Sequence, residues 1–351
     1  MSLPMDAQRR RHVSLLGLAA IIMLIAAVIV SLMDASRGWR PSIAGPVLPQ
    51  WQSGVSAAST ITIIRGDGRF TVRRSASGWV MEERDNYPVR PEQIAVLDQL
   101  LGGLTYVGAR TADPRKHAQL GLGDPGSGEG EGVRLRIEGE DGQLIGDLIF
   151  GEVRGQTLYL REPDQLRTYA ARLPEGADAA AITRPADEWL RLDFIALGRS
   201  AIARTRIQPE DGRTYLLERA ASSVRNFALR EPRGWQPITA GAGNGPASAL
   251  ARIRFRDVRR ADRLTGALVG SHEAETFNGL RVRLDIIAQG ETRWAIIRST
   301  ALSDDASETA QSIASESEGW AYLLSDLALD RLLRPLSEIA DPREQEVLDA
   351  P

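Results

Sequence analysis

The residues from Val13 to Met33, VSLLGLAAIIMLIAAVIVSLM, constrain this chain more than any other stretch. They run for about 21 positions without a charge, enough as a helix to cross the ~30 Å hydrocarbon core of a bilayer. Arg9, Arg10 and Arg11 stand before them; Asp34, Arg37 and Arg40 follow. The denser positive cluster is N-terminal, so the positive-inside rule leaves residues 1–12 in the cytoplasm and carries the bulk of the chain across the membrane. Leu15, Leu16, Ile21, Ile22, Leu24 and Ile25 are the expected lipid-facing anchor, with Trp39 at headgroup depth. A cleaved signal peptide would have a shorter apolar region ending at small residues. Here the exit reads Met33-Asp34-Ala35, a poor cleavage site, so the expectation is an uncleaved single-pass anchor over 13–33 in a bacterial inner membrane, its body periplasmic.

Residues 34–59 carry Pro41, Pro46 and Pro49 among Gly, Ser and Ala, a composition that reads as a tether. Trp51 within it is expected to dock on the folded body. The rest of the 351 residues is enough for two domains of ordinary size. From Thr60 the pattern is short alternating runs. Ile61–Arg65 and Arg69–Arg74 flank Gly66-Asp67-Gly68, and Val133–Gly139 and Gln143–Gly151 flank Asp141-Gly142, both hairpin signals. Between them Pro91 opens a run with Ile94, Leu97, Leu101 and Leu104 at helical spacing. After Trp189 the order starts again. Asp211-Gly212-Arg213 repeats Asp67-Gly68-Arg69, Gly234-Trp235 echoes Gly78-Trp79, and Gly279–Leu284 matches Gly132–Ile137. A helix is expected over 247–255. The expected fold class is α+β: two related, mostly antiparallel sheet domains with packed helices, over 60–198 and 199–338. A solvated acidic, Ser-rich loop, with room for a helical turn, is expected over 303–319, a strand running into a short helix over 320–339, and a charged tail over 339–351.

Composition removes several classes of chemistry. With no cysteine, disulfides, thiolate metal sites and a cysteine nucleophile are excluded. A formal net charge of -3 gives no basic field to recruit nucleic acid. Lys116 is the only lysine among 43 basic residues, a skew that reflects base composition rather than dozens of anion contacts. Gly121-Leu-Gly123-Asp-Pro-Gly126 satisfies G-x-G-x-x-G, but Pro125 and the glycines after it forbid the helix a dinucleotide needs, so it reads as a loop. The three histidines, His12, His117 and His272, do not cluster as metal ligands, and His272-Glu273 reads as surface rather than as a base and its orienter. No catalytic, cofactor or metal residue is singled out. Trp79 and Trp235 are the candidate partner or ligand surface, since tryptophans in a β-rich cleft stack on sugars or grip apolar segments. The arginines at 134/136, 281/283 and 252/254/256 place guanidinium groups on sheet faces, solvated or turned to an acidic partner or lipid headgroups.

The run I-x-I-x-x-x-D-G-R-F-x-V-x-R, then G-W-x-M, an apolar helix, His117–Pro125 and V-R-L-R-I resembles the bacterial family called domain of unknown function 4340. The resemblance covers about 60–335 and implies an N-terminally anchored, exported protein encoded beside ABC-transporter components similar to those of gliding-motility systems. The family has no established catalytic residues to carry over. The resulting expectation is a non-enzymatic accessory or scaffold subunit of an ABC-type transporter. The alternatives are an envelope hydrolase acting on glycan or peptide, or a solute-binding module with a pocket lined by Trp79 or Trp235.

Overall fold

The computed structural model describes residues 20–28 and 43–343. Residues 20–28 form a helix, α1, on which Ile21, Ile22, Leu24 and Ile25 are each more than half exposed. Arg9, Arg10, Arg11, Leu15, Leu16 and Trp39, the rest of the expected span over 13–33, and residues 344–351 lie outside the described residues. Among the described residues, no helix is long and apolar enough to cross a membrane.

The chain is α+β, with antiparallel sheets and few helices. Its first half runs β1 (Gly45–Pro46), β2 (Thr60–Arg65), β3 (Gly68–Ser75), β4 (Gly78–Met81), β5 (Tyr87–Pro88), α2 (Pro91–Gly103), β6 (Thr105–Ala109), β7 (Val133–Glu138), β8 (Leu144–Arg154), β9 (Thr157–Arg161) and β10 (Thr168–Arg172). The second runs β11 (Ile202–Gln208), β12 (Tyr215–Glu218), β13 (Ala228–Glu231), β14 (Trp235–Pro237), α3 (Asn244–Ala247), β15 (Asp257–Arg260), β16 (Ala267–Thr276), β17 (Leu280–Gln289) and β18 (Thr292–Ala301). It closes with α4 (Ser307–Ser317), β19 (Trp320–Leu323), α5 (Asp326–Leu332) and β20 (Ala340–Pro342).

Both large sheets share one wiring. The first has the order β1-β6-β10-β9-β8-β7-β2-β3-β4-β5, and the second, read from its other edge, β15-β19-β18-β17-β16-β11-β12-β13. Apart from β1, which adds to the far edge of the first sheet, the chain in each begins mid-sheet, steps outward through a hairpin, and crosses through a helical segment to the far edge. It then returns beside its starting strand and fills the gap. The two Asp-Gly turns fall at equivalent places, between β2 and β3 and between β11 and β12. The other two sequence landmarks do not. Trp79 lies in β4, whereas Trp235 lies in β14, paired with β20 outside the eight-stranded sheet. Val133–Ile137 forms β7, whose counterpart is β16 and not the Leu280 strand, β17.

By contacts the chain divides into two compact units: residues through Ala58 with Ile63–Arg69 and Val96–Ile182, and Ser59–Thr62 with Phe70–Ala95 and the chain from Thr183. Neither follows the expected boundary at 198/199. In the first unit, the α2 residues Leu97, Leu100 and Leu101 are buried with Leu135, Ile137, Ile149, Phe150, Leu158 and Leu160 of its strands. The segment read as tether is ordered in its C-terminal part: Val47, Leu48 and Trp51 are buried, and Trp51 Nε1 donates to Asp98 at 2.9 Å. Three apolar side chains with a hydrogen-bond partner outweigh the local Pro/Gly content.

In the second unit, alternate residues of β11, β17 and β18 (Ile207, Val282, Leu284, Ile286, Ile297) form the core. The acidic insertion is helix α4 and not a loop. Ala310 and Ile313, one turn apart, are buried, and the helix packs on β18 while Glu308 faces water. The helix expected over 247–255 is instead the end of the short α3 followed by a single 3-10 turn and extended chain, in which Arg252, Arg254 and Arg256 alternate with buried Ile253 and Phe255. The tail expected from 339 contributes β20, held by β14.

Candidate ligand and partner surface

Trp79 is half-buried on β4, facing Arg74 across the β3–β4 pair, whose guanidinium lies 5.4 Å from the ring centroid. It lines a cleft of ≈ 310 Å³ with Ser77, Pro88, Arg90, Arg191 and Glu316, all within the second unit. Arg191 and Glu316 are joined at 2.7 Å. Their backbones are fixed from below by two buried phenols. Tyr87 Oη donates to the Arg191 carbonyl at 3.1 Å and meets Tyr322 Oη at 3.2 Å, and Tyr322 Oη donates to the Glu316 carbonyl. Burial pushes the Tyr87 hydroxyl up to about 12 and that of Tyr322 higher still, so both stay protonated donors. Arg90 is committed too, through Nε to the Leu190 carbonyl at 2.8 Å and through Nη2 to Asp193 at 2.6 Å. The cleft thus offers an aromatic face beside a preformed ion pair, an arrangement suited to holding a flat group with polar substituents.

The counterpart of Trp79 in the second sheet is Phe227, which the sequence comparison missed. Glu218 pairs with Ala228, so Arg219 and Phe227 occupy the places of Arg74 and Trp79, and Arg219 again covers the ring, at 4.7 Å. Here both partners are buried. Arg219 donates through Nε to the Ile202 carbonyl at 2.7 Å and through Nη2 to that of Arg199. Trp235 is half-buried on β14 and does not line the Trp79 cleft.

Arginine runs on the strands are neutralised by carboxylates on the same or neighbouring strands. Arg134 grips Asp147 through two bonds of 2.8 and 2.7 Å, and Arg136 bridges Asp147 and Glu138. On the second sheet Arg204 and Arg281 share Glu275, while Arg283 and Arg298 share Asp285. These ladders knit the faces together, each exposed pair contributing ~1 kcal/mol or less.

His272 is not a surface residue: it is fully buried on β16 opposite buried Ile207, and Nδ1 meets the Leu332 carbonyl at 2.9 Å. Strand alternation sends Glu273 to the opposite face, toward Arg281 and Arg283, so the two cannot act as base and orienter. Burial pulls the imidazole down to about 4. His117 is buried as well, Nε2 meeting the Leu166 carbonyl at 2.9 Å. The Gly121–Gly126 segment is the loop its proline implied. Arg161, buried on β9, binds the Leu122 carbonyl at 2.8 Å and Asp124 at 2.6 Å, and Glu131 takes the Gly126 amide at 2.6 Å. Gly121 sits at φ +63 with its Cβ position 3.0 Å from the Glu152 nitrogen, so a side chain there would be strained and crowded. The motif is a clasp on β8 and β9. Among the described residues no group of acids and histidines could hold a metal ion.

No curated protein and no solved structure matches the chain. The sequence model of the family described as Domain of unknown function (DUF4340) matches residues 79–269, from Trp79 itself to the start of β16. That match takes in more than half of the sequence, and the chain belongs to this family.

Proposed function

We propose that this protein is a membrane-anchored accessory or scaffold subunit, its body periplasmic, working beside an ABC-type transporter rather than catalysing a reaction itself. The observation that carries the reading is the apolar segment over 13–33: within it, residues 20–28 are helical and present Ile21, Ile22, Met23, Leu24 and Ile25 outward, where lipid would cover them. Tethering the body to a bilayer raises its effective concentration at membrane partners without any high-affinity contact. The common wiring of the two sheets supports a duplicated domain, which presents two similar frames to a partner. The transporter link rests on the family resemblance. Crosslinking and pull-down from solubilised membranes tests it: transporter subunits should be recovered with the full chain. A reporter fused after Trp51 that faces the cytosol would overturn the topology.

A solute-binding module is the second reading, favoured by the Trp79 cleft with its fixed Arg191–Glu316 pair. It requires a small ligand that quenches Trp79 fluorescence and is lost in Trp79→Ala.

A further inference from the structure

Most strand arginines of this chain have a carboxylate partner, whereas three exposed arginines off the strands, close together around α5, have none. Arg252, Arg256 and Arg331 are exposed and have no ion pair among the described residues. Arg252 and Arg331 line one hollow of ≈ 160 Å³ with Arg254, Ser325, Leu327 and Ala328. Arg254 alone in that hollow has a carboxylate, Asp187 at 3.2 Å. Arg256 lines the adjoining hollow with Leu329, and the two hollows meet at Ser325. Leu327, on α5, is 71% exposed, as much as any large apolar side chain described. A protruding leucine among unneutralised guanidinium groups meets the two requirements of interfacial membrane binding: an apolar group to enter the acyl boundary, and cations to meet anionic headgroups. Of the acids nearby, Asp330 is bound to Arg334, whereas Asp326 and Glu291 share the hollow of Arg256, so the uncancelled charge is that of Arg252 and Arg331.

We infer that the α5 face of the second unit, centred on Leu327 with Arg252 and Arg331, docks on an anionic phospholipid surface. The inference rests on the anchored reading, which keeps a bilayer within reach. A shallow hollow of this size suits a headgroup phosphate, and an extended acidic peptide would need a longer groove.

The absence of cysteine makes the test direct, because Leu327→Cys gives the full chain a single thiol for an environment-sensitive fluorophore. The labelled chain is reconstituted into vesicles of neutral phosphatidylcholine, or of the same lipid with phosphatidylglycerol. Flotation reads the anchor; emission and quenching by neutral acrylamide read the docking. Docking predicts blue-shifted, quencher-protected emission on the anionic vesicles only. Arg252→Glu with Arg331→Glu should remove it, each reversal weakening the docked state at least about fivefold. A chain that floats while position 327 stays in water overturns the docking and leaves the anchor intact. Equal protection on both vesicles also overturns it, as does protection by added polyglutamate alone, which would assign the face to an acidic protein. A chain that fails to float overturns the anchored reading and the docking together.

Discussion

Trp79 and Phe227 occupy the same place in two sheets of the same wiring, each beneath an arginine from the neighbouring strand. One ring is half-exposed over a cleft; the other is sealed into the core. The difference lies in what surrounds the pair. A tight β3–β4 turn leaves Arg74 and Trp79 at a sheet margin, whereas the longer β12–β13 connection lets Arg219 turn inward onto the carbonyls of Ile202 and Arg199. A repeated frame therefore carries a core contact in one copy and a candidate binding surface in the other.

Four substitutions test that contrast. Phe227→Ala should destabilise by about 3–5 kcal/mol through lost burial and a cavity, read as a lowered midpoint in denaturant unfolding. Trp79→Ala should cost about 1 kcal/mol and leave the fold intact. Equal losses would show both rings to be core and remove the case for a surface at Trp79.

Arg219→Met should follow at about 3 kcal/mol, since it removes the buried donor that holds the Ile202 and Arg199 carbonyls. Arg74→Met should cost about 0.5–1 kcal/mol, the range of an exposed cation–π contact.

His272 gives the second sheet an acid sensitivity that β7 in the first lacks. Its folded pKa is depressed, to about 4, below the ordinary value near 6.5, so the neutral form belongs to the folded state. The stability it contributes is complete above about pH 6.5 and is lost as pH falls toward 4, about 3 kcal/mol in all. Hydrogen exchange at β16–β18 should rise across that window ahead of β7–β9, and His272→Leu should flatten the dependence.

The smallest effect is expected at the arginine ladders: Arg298→Ala, exposed at one end, should change stability by less than about 1 kcal/mol.

Much of the local structure was legible because it is written in periodicity. The α2 helix follows from Ile94, Leu97, Leu101 and Leu104, all buried, and the hairpins from Asp-Gly turns between alternating runs. The helix α4 was not, because two small contacts, Ala310 and Ile313, hold a segment otherwise rich in acids and serines. His272 misled for a related reason. Charged neighbours suggested a surface, but alternation puts every second residue inside, and the hydrogen-bond partner comes from Leu332, 60 residues away. The equation of Trp79 with Trp235 failed because two short identical words outweighed the strand pairing, which only the fold reveals.

By itself the sequence determined an apolar N-terminal segment followed by a cysteine-free α+β body of repeated antiparallel hairpins, since hydropathy and turn chemistry act over a few residues. Tertiary structure decided which arginines find a carboxylate, which aromatic ring stays open and which histidine is buried. Each of those depends on residues brought together across strands, a distance that local pattern does not encode.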